Sequence, residues 1–114
     1  MPHFVVDCSE DIVSAQPEEE IIEQIYLVAV ASKLFDKNDI KVRINPYKTY
    51  LVGKKRTPFI HVFASVMQGR STVQKAALSH AIVSRLSIMF PDVPAIAMNI
   101  TDFEKATYCN REML

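Results

Sequence analysis

The chain repeats one order of secondary structure twice, and each copy opens with a proline. The first copy begins at Pro2 in "PHFVV" and the second at Pro58 in "PFIHV". In both, an alternating strand pattern is followed by a helical pattern and a second strand. Proline is tolerated at the first residue of a strand, so neither proline requires a functional explanation. The repeat predicts an α+β fold of two layers, in which right-handed crossovers place two helices on one face of a four-stranded mixed sheet.

The strands of the first half have one apolar and one polar side. In "HFVVDC", Phe4, Val6 and Cys8 share one side, and the alternate residues point the other way. In "DIKVRIN", the apolar residues again alternate, which leaves Lys41 and Arg43 together on the opposite side. A β-α-β unit can set these two strands side by side. The two cations can therefore lie close to the start of the first strand.

The helices are marked by their first residues. "QPEEEIIEQIYLVAVASKLF" has Pro17 at the predicted first helical position, followed by three glutamates that favour the positive end of a helix. In "QGRSTVQKAALSHAIVSRLSIMF", Ser71 and Gln74 have the spacing of a capping box. An apolar stripe is predicted on this second helix at Ala77, Leu78, Ala81, Ile82, Ile88 and Met89.

The halves are joined by a segment that breaks the strand pattern. "PYKTYLVGKKRTP" contains two prolines and a glycine, and it predicts a hairpin-like excursion with a turn at "GKK". A closing strand is predicted at "AIAMNITDF". We expect a single domain over residues 1–114, with halves at about 2–50 and 58–104.

Composition excludes several classes of protein. Thirteen basic and thirteen acidic side chains cancel, so there is no net charge to attract nucleic acid or an anionic membrane. The two cysteines have no metal-ligand spacing and are too few for a disulfide scaffold, which favours a reducing cytoplasm. The apolar runs are shorter than the roughly 20 residues of a membrane span, and no signal-peptide pattern is present. We expect a cytoplasmic protein without nucleic-acid or membrane partners.

Four short segments together resemble one enzyme family. "MPHFVVDC", "IKVRI", "FIHV" and "GRS" are similar to the 5-carboxymethyl-2-hydroxymuconate isomerases of the tautomerase superfamily. The similarity is strongest in the first twelve residues and extends to about residue 90. It implies a homotrimer with active sites near subunit boundaries, acting in the degradation of aromatic compounds such as homoprotocatechuate. It also implies a reaction without cofactor or metal, in which an N-terminal proline moves a proton within an unsaturated 2-hydroxy or 2-keto polycarboxylic acid.

The resemblance assigns the catalytic base to Pro2. Removal of Met1 makes the Pro2 nitrogen a free secondary amine, and an α-amino group has a reference pKa of about 7.7–8.0. Burial and nearby cations must lower that pKa for the amine to act as a base near neutral pH. Arg43, Lys41 and Arg70 are the predicted substrate-binding cations. The guanidinium groups of the two arginines can bind carboxylates bidentately. His3 is predicted to line the same site.

Each assignment has a structural alternative. Lys41 and Arg43 are equally consistent with a solvated sheet face or an ion pair between subunits, and Arg70 with a surface position near a helix start. His3 and His61 are consistent with ordinary strand histidines. Tyr47 and Tyr50 could close one side of a pocket, or they could serve as packing or interface residues.

Two departures from the family bear on the substrate. The family has arginine at the position of Lys41, and a point charge does not reproduce a planar fork. The segments "NPYKTYLVGKKR" and "YCNREML" also differ from the family pattern. Two alternatives therefore stay open. One is a tautomerase for another keto acid. The other is a non-catalytic oligomeric binding module, which applies if Met1 is retained and the Pro2 nitrogen remains an amide.

Overall fold

The computed structural model describes all of residues 1–114. No helix combines the length and the apolar character that crossing a membrane requires. The chain folds in the order β1 His3–Ser9, α1 Glu10–Ala15, α2 Glu18–Ala31, β2 Lys41–Tyr47, β3 Phe59–Met67, α3 Thr72–Met89 and β4 Ala95–Phe103. Two single 3₁₀ turns follow, at Lys105–Thr107 and Arg111–Met113.

The four strands form one mixed sheet in the order β2-β1-β3-β4. β1 is parallel to β2, β3 is parallel to β4, and the central pair β1 and β3 is antiparallel. This is the arrangement that two β-α-β units give when their first strands pair at the centre of the sheet. The prediction of a four-stranded mixed sheet is confirmed.

The apolar side of the sheet packs against the helices. Phe4, Val6 and Cys8 are completely buried in β1, as the alternation predicts. They belong to one core that also contains Ile60, Val62 and Ala64 of β3, Ile21, Ile25, Val28 and Ala29 of α2, and Leu78, Ile82 and Leu86 of α3. The other side of the sheet is not covered by a helix. We refer to it as the open face, and it carries His3, Val5, Asp7, Lys41, Arg43, His61, Phe63 and Asn99.

The capping box of α3 is present as predicted. The Gln74 backbone N–H donates to Ser71 Oγ at 3.1 Å, and the Ser71 N–H donates to Gln74 Oε1 at 2.9 Å. These two bonds satisfy donors that have no partner within the helix. The predicted stripe is wrong at Ala77 and Ala81, which are exposed, and at Ile88, whose surface is 76% exposed. Leu86 takes the place of Ile88 in the core, because its spacing from Ile82 matches one helical turn more closely.

Two further predictions about the first half need correction. Pro17 occupies the N-cap of α2, one residue before the first helical position. The sequence reading also missed α1, a helix of six residues that begins directly after β1. Ile12 is its one buried residue, so α1 has too short an apolar pattern to be recognised by periodicity.

The predicted excursion between the halves contains a short antiparallel bridge. Val52 and Lys55 pair around the turn, with hydrogen bonds of 2.8 and 3.2 Å between their backbone groups. Gly53 has a φ of +61°, a left-handed conformation that glycine adopts without the steric cost of a Cβ. The turn at "GKK" is therefore confirmed.

Candidate active site

Pro2 is held in place at the beginning of β1. Its side chain is fully buried, and its carbonyl accepts a hydrogen bond of 3.1 Å from the Lys41 backbone N–H. This bond extends the parallel ladder of β1 and β2 by one residue beyond the pair His3 and Lys41. The backbone at Pro2 is consequently fixed by the sheet, which leaves the nitrogen at a defined position on the sheet margin.

Lys41 and Asp39 lie beside the amino end of the chain. Lys41 Nζ donates to the Asp39 carbonyl at 2.9 Å and lies 4.0 Å from Met1 Sδ. The pKa of the Met1 amino group is lowered, mainly by partial burial. The Asp39 carboxylate opposes this shift, whereas the charges of Arg70 and Lys41 add to it. The surroundings of the chain's amino end therefore favour an uncharged amine.

Arg43 and His3 contact each other on the open face. Arg43 is exposed, and its Nη1 lies 3.1 Å from His3 Nδ1. The pKa of His3 is lowered from its usual value, first by partial burial and then by the charges of Arg43, Lys41 and the amino terminus. Partial burial and the surrounding cations therefore disfavour protonation of His3.

Arg70 is half-buried and links two segments of the chain. Its Nη1 donates to the Met67 carbonyl at 3.1 Å, and its Nη2 donates to the Leu34 carbonyl at 2.8 Å. The guanidinium also lies over the Phe35 ring, 4.9 Å from the ring centroid. These contacts tie the end of β3 to the segment after α2. They also leave three of the five guanidinium N–H donors free for an anion.

The three cations have no carboxylate partner. The one ion pair in the chain joins Lys75 and Asp102 at 3.2 Å. Lys41, Arg43 and Arg70 therefore have no acidic side-chain oxygen within 4.0 Å of their charged nitrogens. Unpaired guanidinium and ammonium groups around a buried strand start can bind an anionic ligand without first breaking an ion pair.

Several residues near this site were missed by the sequence reading. The His3 ring packs edge-on against Phe103, with centroids 5.9 Å apart, and Phe103 packs against Tyr108 in the tail. Asp39 beside the amino terminus was also missed. The parallel register places Asp39 two residues before Lys41, opposite Met1, so this position was recoverable from the strand pairing. The position of the tail could not be predicted in this way, because the tail follows the last strand without a periodic pattern.

The remaining candidates lie elsewhere. His61 Nε2 is 2.7 Å from Asn99 Oδ1 and its ring stacks on Phe63, in the middle of the open face. Tyr47 ends β2, six residues from Lys41, which corresponds to about 20 Å along a strand. Tyr47 and Tyr50 line a cavity of 560 Å³ at that far end, together with Glu10 and Arg56. Within one chain, neither tyrosine reaches the surroundings of Pro2.

Comparison with known proteins agrees with the fold. Pt0534 inactivated by 2-oxo-3-pentynoate is a similar solved structure, with a TM-score of 0.85 and 18% identity over 96% of this chain and 91% of that one. A 5-carboxymethyl-2-hydroxymuconate isomerase from Deinococcus radiodurans R1 has a TM-score of 0.82 and 18% identity over 96% of this chain and 88% of that one. The Q0 fused 4-OT wild-type symmetric trimer has a TM-score of 0.80 and 16% identity over 96% of this chain and 91% of that one. At these identities the likeness establishes the fold. A search of curated protein sequences gave no significant match.

The family is established by the sequence itself. A profile of the family described as "CHMI: 5-carboxymethyl-2-hydroxymuconate isomerase" matches residues 2–112. The match continues through β4 and the tail, beyond the point near residue 90 where the resemblance in the sequence weakens. The chain belongs to the 5-carboxymethyl-2-hydroxymuconate isomerase family, a family of isomerases.

Proposed function

We propose that this protein is a cofactor-independent isomerase that uses the Pro2 amine as general base and acid. The substrate is an unsaturated 2-hydroxy or 2-keto polycarboxylic acid, with 5-carboxymethyl-2-hydroxymuconate as the first candidate. The observation that carries the proposal is the group of three unpaired cations, Lys41, Arg43 and Arg70, around the start of β1. Family membership supports the isomerase class, and the cations support an anionic substrate.

The reaction is a proton transfer with no net change in composition. After removal of Met1, the Pro2 amine accepts a proton from the 2-hydroxyl group or from the adjacent vinylogous carbon. The resulting dienolate spreads its charge along the conjugated chain, and the protonated amine returns the proton to a carbon further along. Positioned proton transfer of this kind contributes about 10²–10⁴-fold to a rate. The product is an isomer of the substrate, so no oxidant, reductant or water is consumed.

The electrostatic surroundings suit such a base. Partial burial and the charges of Arg70 and Lys41 lower the pKa of the amino group at this end of the chain. The same influences act on the Pro2 amine once it becomes the terminus, because Pro2 is more deeply buried than Met1. A lowered pKa increases the fraction of the amine that is unprotonated near neutral pH. The unprotonated amine can then accept a proton from the substrate at the start of each cycle.

The cations also bind and orient the substrate. Arg43 is exposed and offers a planar fork to one carboxylate, whereas Lys41 offers a point charge beside Pro2. Arg70 has free donors but is fixed by its bonds to two carbonyl groups, so it acts as a rigid edge of the site. Holding a carboxylate in this way keeps the reacting carbon within reach of the amine. Lysine in place of the family's arginine at position 41 makes the substrate's identity the least constrained part of the proposal.

The functional unit that we propose is a homotrimer. A trimer is named among the similar structures. The open face supports the same conclusion, because it exposes Phe63 to 45% and carries the edge of the proposed site.

Both cysteines are unpaired, which is consistent with our proposal of a reducing cytoplasm.

The experiment is to compare the protein before and after Met1 removal. Intact mass first reports which form is present, and ultraviolet absorbance then follows ketonisation of 5-carboxymethyl-2-hydroxymuconate. We expect turnover from the form that begins at Pro2 and none from the form that retains Met1, whose Pro2 nitrogen is an amide. Equal turnover by both forms would exclude Pro2 as the base.

A second measurement identifies the reactive nitrogen. 2-Oxo-3-pentynoate is the compound that inactivates Pt0534. An amine adds to the triple bond of such an acetylenic ketone without loss of atoms. We therefore expect one equivalent of added mass on the N-terminal peptide of the processed form. A processed protein that neither turns over a dienol acid nor becomes labelled would support the non-catalytic binding module instead.

A further inference from the structure

The geometry points to His3 as a positioning residue for Arg43, and not as a group that contacts the substrate. This inference rests on the proposed function, since it assigns a role within the same site. His3 and Lys41 are register partners in the parallel pair of β1 and β2. Arg43 lies one pair further along the same face, opposite Val5, and its side chain reaches back to His3.

The contact between the two side chains fixes the state of the His3 ring. Arg43 Nη1 is 3.1 Å from His3 Nδ1. Arginine has only donors, so Nδ1 must be the acceptor, and the proton of the neutral ring must be on Nε2. Four guanidinium N–H groups of Arg43 remain for a substrate carboxylate, which needs two of them for a bidentate pair.

The ring itself is held from the opposite side of β1. Phe103 at the end of β4 packs edge-on against it, with an angle of 86° between the two planes, and Tyr108 packs behind Phe103. His3 therefore connects the tail to the substrate-binding arginine. This gives the tail, which has no catalytic group of its own in the proposed mechanism, a part in orienting Arg43.

The charged groups that face His3 are all cationic. They are Lys41 and Arg43 from β2 and the amino terminus from β1, whereas β3 contributes Ser65 and β4 contributes the Phe103 ring. Protonation of His3 would remove the acceptor at Nδ1 and place a further positive charge beside those of Lys41 and Arg43. Acidification below the lowered pKa of His3 should consequently release Arg43 and raise KM for a dicarboxylate.

The test is a double-mutant cycle on the processed protein. His3→Leu removes the acceptor, and we expect KM to rise by roughly tenfold with kcat little changed. His3→Asn keeps an oxygen near the position of Nδ1 and should recover most of the loss. In an Arg43→Ala background, His3→Leu should have no further effect, because the two residues act as one unit. A His3→Leu effect that persists in this background would overturn the proposal.

Two readouts separate this role from a merely structural one. The wild-type protein should show a rise of KM on the acid side that is absent from His3→Asn. Nitrogen-15 NMR should place the His3 proton on Nε2, and a proton on Nδ1 would contradict the proposal even if every variant misfolded.

The same cycle distinguishes a failure of the proposed function. If the processed wild-type protein has no turnover, binding of adipate, a saturated dicarboxylate, can replace KM. Weaker adipate binding in His3→Leu, with no further loss in the Arg43→Ala background, would support the role of His3 while the isomerase assignment fails. Unchanged adipate binding in His3→Leu would overturn the role.

Discussion

The two ends of the β1–β2 pair have opposite electrostatic character. At the beginning of the pair, partial burial lowers the pKa of the amino terminus, and the charges of Arg70 and Lys41 add to this shift against the opposing charge of Asp39. At the other end, the charge of Asp7 raises the pKa of Tyr47, with smaller contributions from burial and from a hydrogen bond between the two. One pair of strands thus carries cations at its beginning and the Asp7 carboxylate towards its end.

The comparison shows how burial and nearby charges set the pKa values of the Cys8 thiol and of the amino terminus. Burial and the acidic side chains Asp11, Asp7 and Glu18 raise the pKa of the Cys8 thiol to about 12, so the thiolate is suppressed. The amine at the opposite end is also partly buried, but burial lowers the pKa of an amine, and the net effect of the nearby cations is in the same direction. The chain therefore favours an uncharged amine at one end and a protonated thiol at the other.

The largest expected effect comes from changing Pro2, the proposed base. Pro2→Ala replaces a rigid secondary amine by a mobile primary one, and we expect kcat to fall by about 10²-fold or more. Steady-state kinetics with 5-carboxymethyl-2-hydroxymuconate measures this. The matched control is Pro58→Ala, which changes the proline that opens the other half of the repeat. A similar loss in both variants would mean that the prolines act only through folding.

The next effect compares arginines from the two ends. Arg43→Ala removes the guanidinium group that is proposed to bind a substrate carboxylate. KM should rise by about 10–100-fold, because a hydrogen bond to a charged group contributes about 1.5–3 kcal/mol to the binding free energy. Arg56→Ala removes the arginine that lies over Tyr50 at the far end and should leave KM unchanged. An effect of Arg56→Ala equal to that of Arg43→Ala would contradict the location of the site.

A smaller effect concerns the pH dependence. Lys41→Gln removes a cation that lowers the pKa of the amino terminus, so the pKa of the amine should rise. In the proposed mechanism, activity requires the unprotonated amine and is lost as pH falls through that pKa. The acid limb of kcat/KM should therefore move to higher pH. Lys48→Gln, one residue beyond the end of β2, should leave the profile unchanged, and a movement of the limb to lower pH in Lys41→Gln would contradict the account.

The smallest effect tests the acidic end. Asp7→Asn removes the charge that raises the pKa of Tyr47, so this pKa should fall towards its ordinary value near 10. NMR of the Tyr47 ring during a pH titration measures the shift. Asp36→Asn, an exposed aspartate outside this region, should have no effect on Tyr47. Turnover should be unchanged in both variants.

The sheet was predictable from the sequence, because its strands have one apolar side. Alternation at Phe4, Val6 and Cys8 predicts the buried face, and the capping box at Ser71 marks the start of α3. The short helix α1 was not predictable, since a single buried residue, Ile12, produces no periodic pattern. Ile88 was misplaced because the sequence does not distinguish an apolar residue on the exposed side of a helix from one on the buried side.

The site was only partly predictable. Lys41 and Arg43 could be placed on one side of a strand from spacing alone, and the strand order puts them beside Pro2. The contact between Arg43 and His3 depends on side-chain direction, and the contact of His3 with Phe103 depends on how β4 ends. The roles proposed for these residues remain predictions.

The most direct test of the central claim is a pH titration of the Pro2 amine by nitrogen-15 NMR on the processed protein. The account predicts that the pKa of this secondary amine lies below the usual 7.7–8.0 of an α-amino group. It also predicts that this pKa rises in Lys41→Gln. A pKa at or above that range, or a Pro2 nitrogen that is still acylated in protein from its native host, would contradict it.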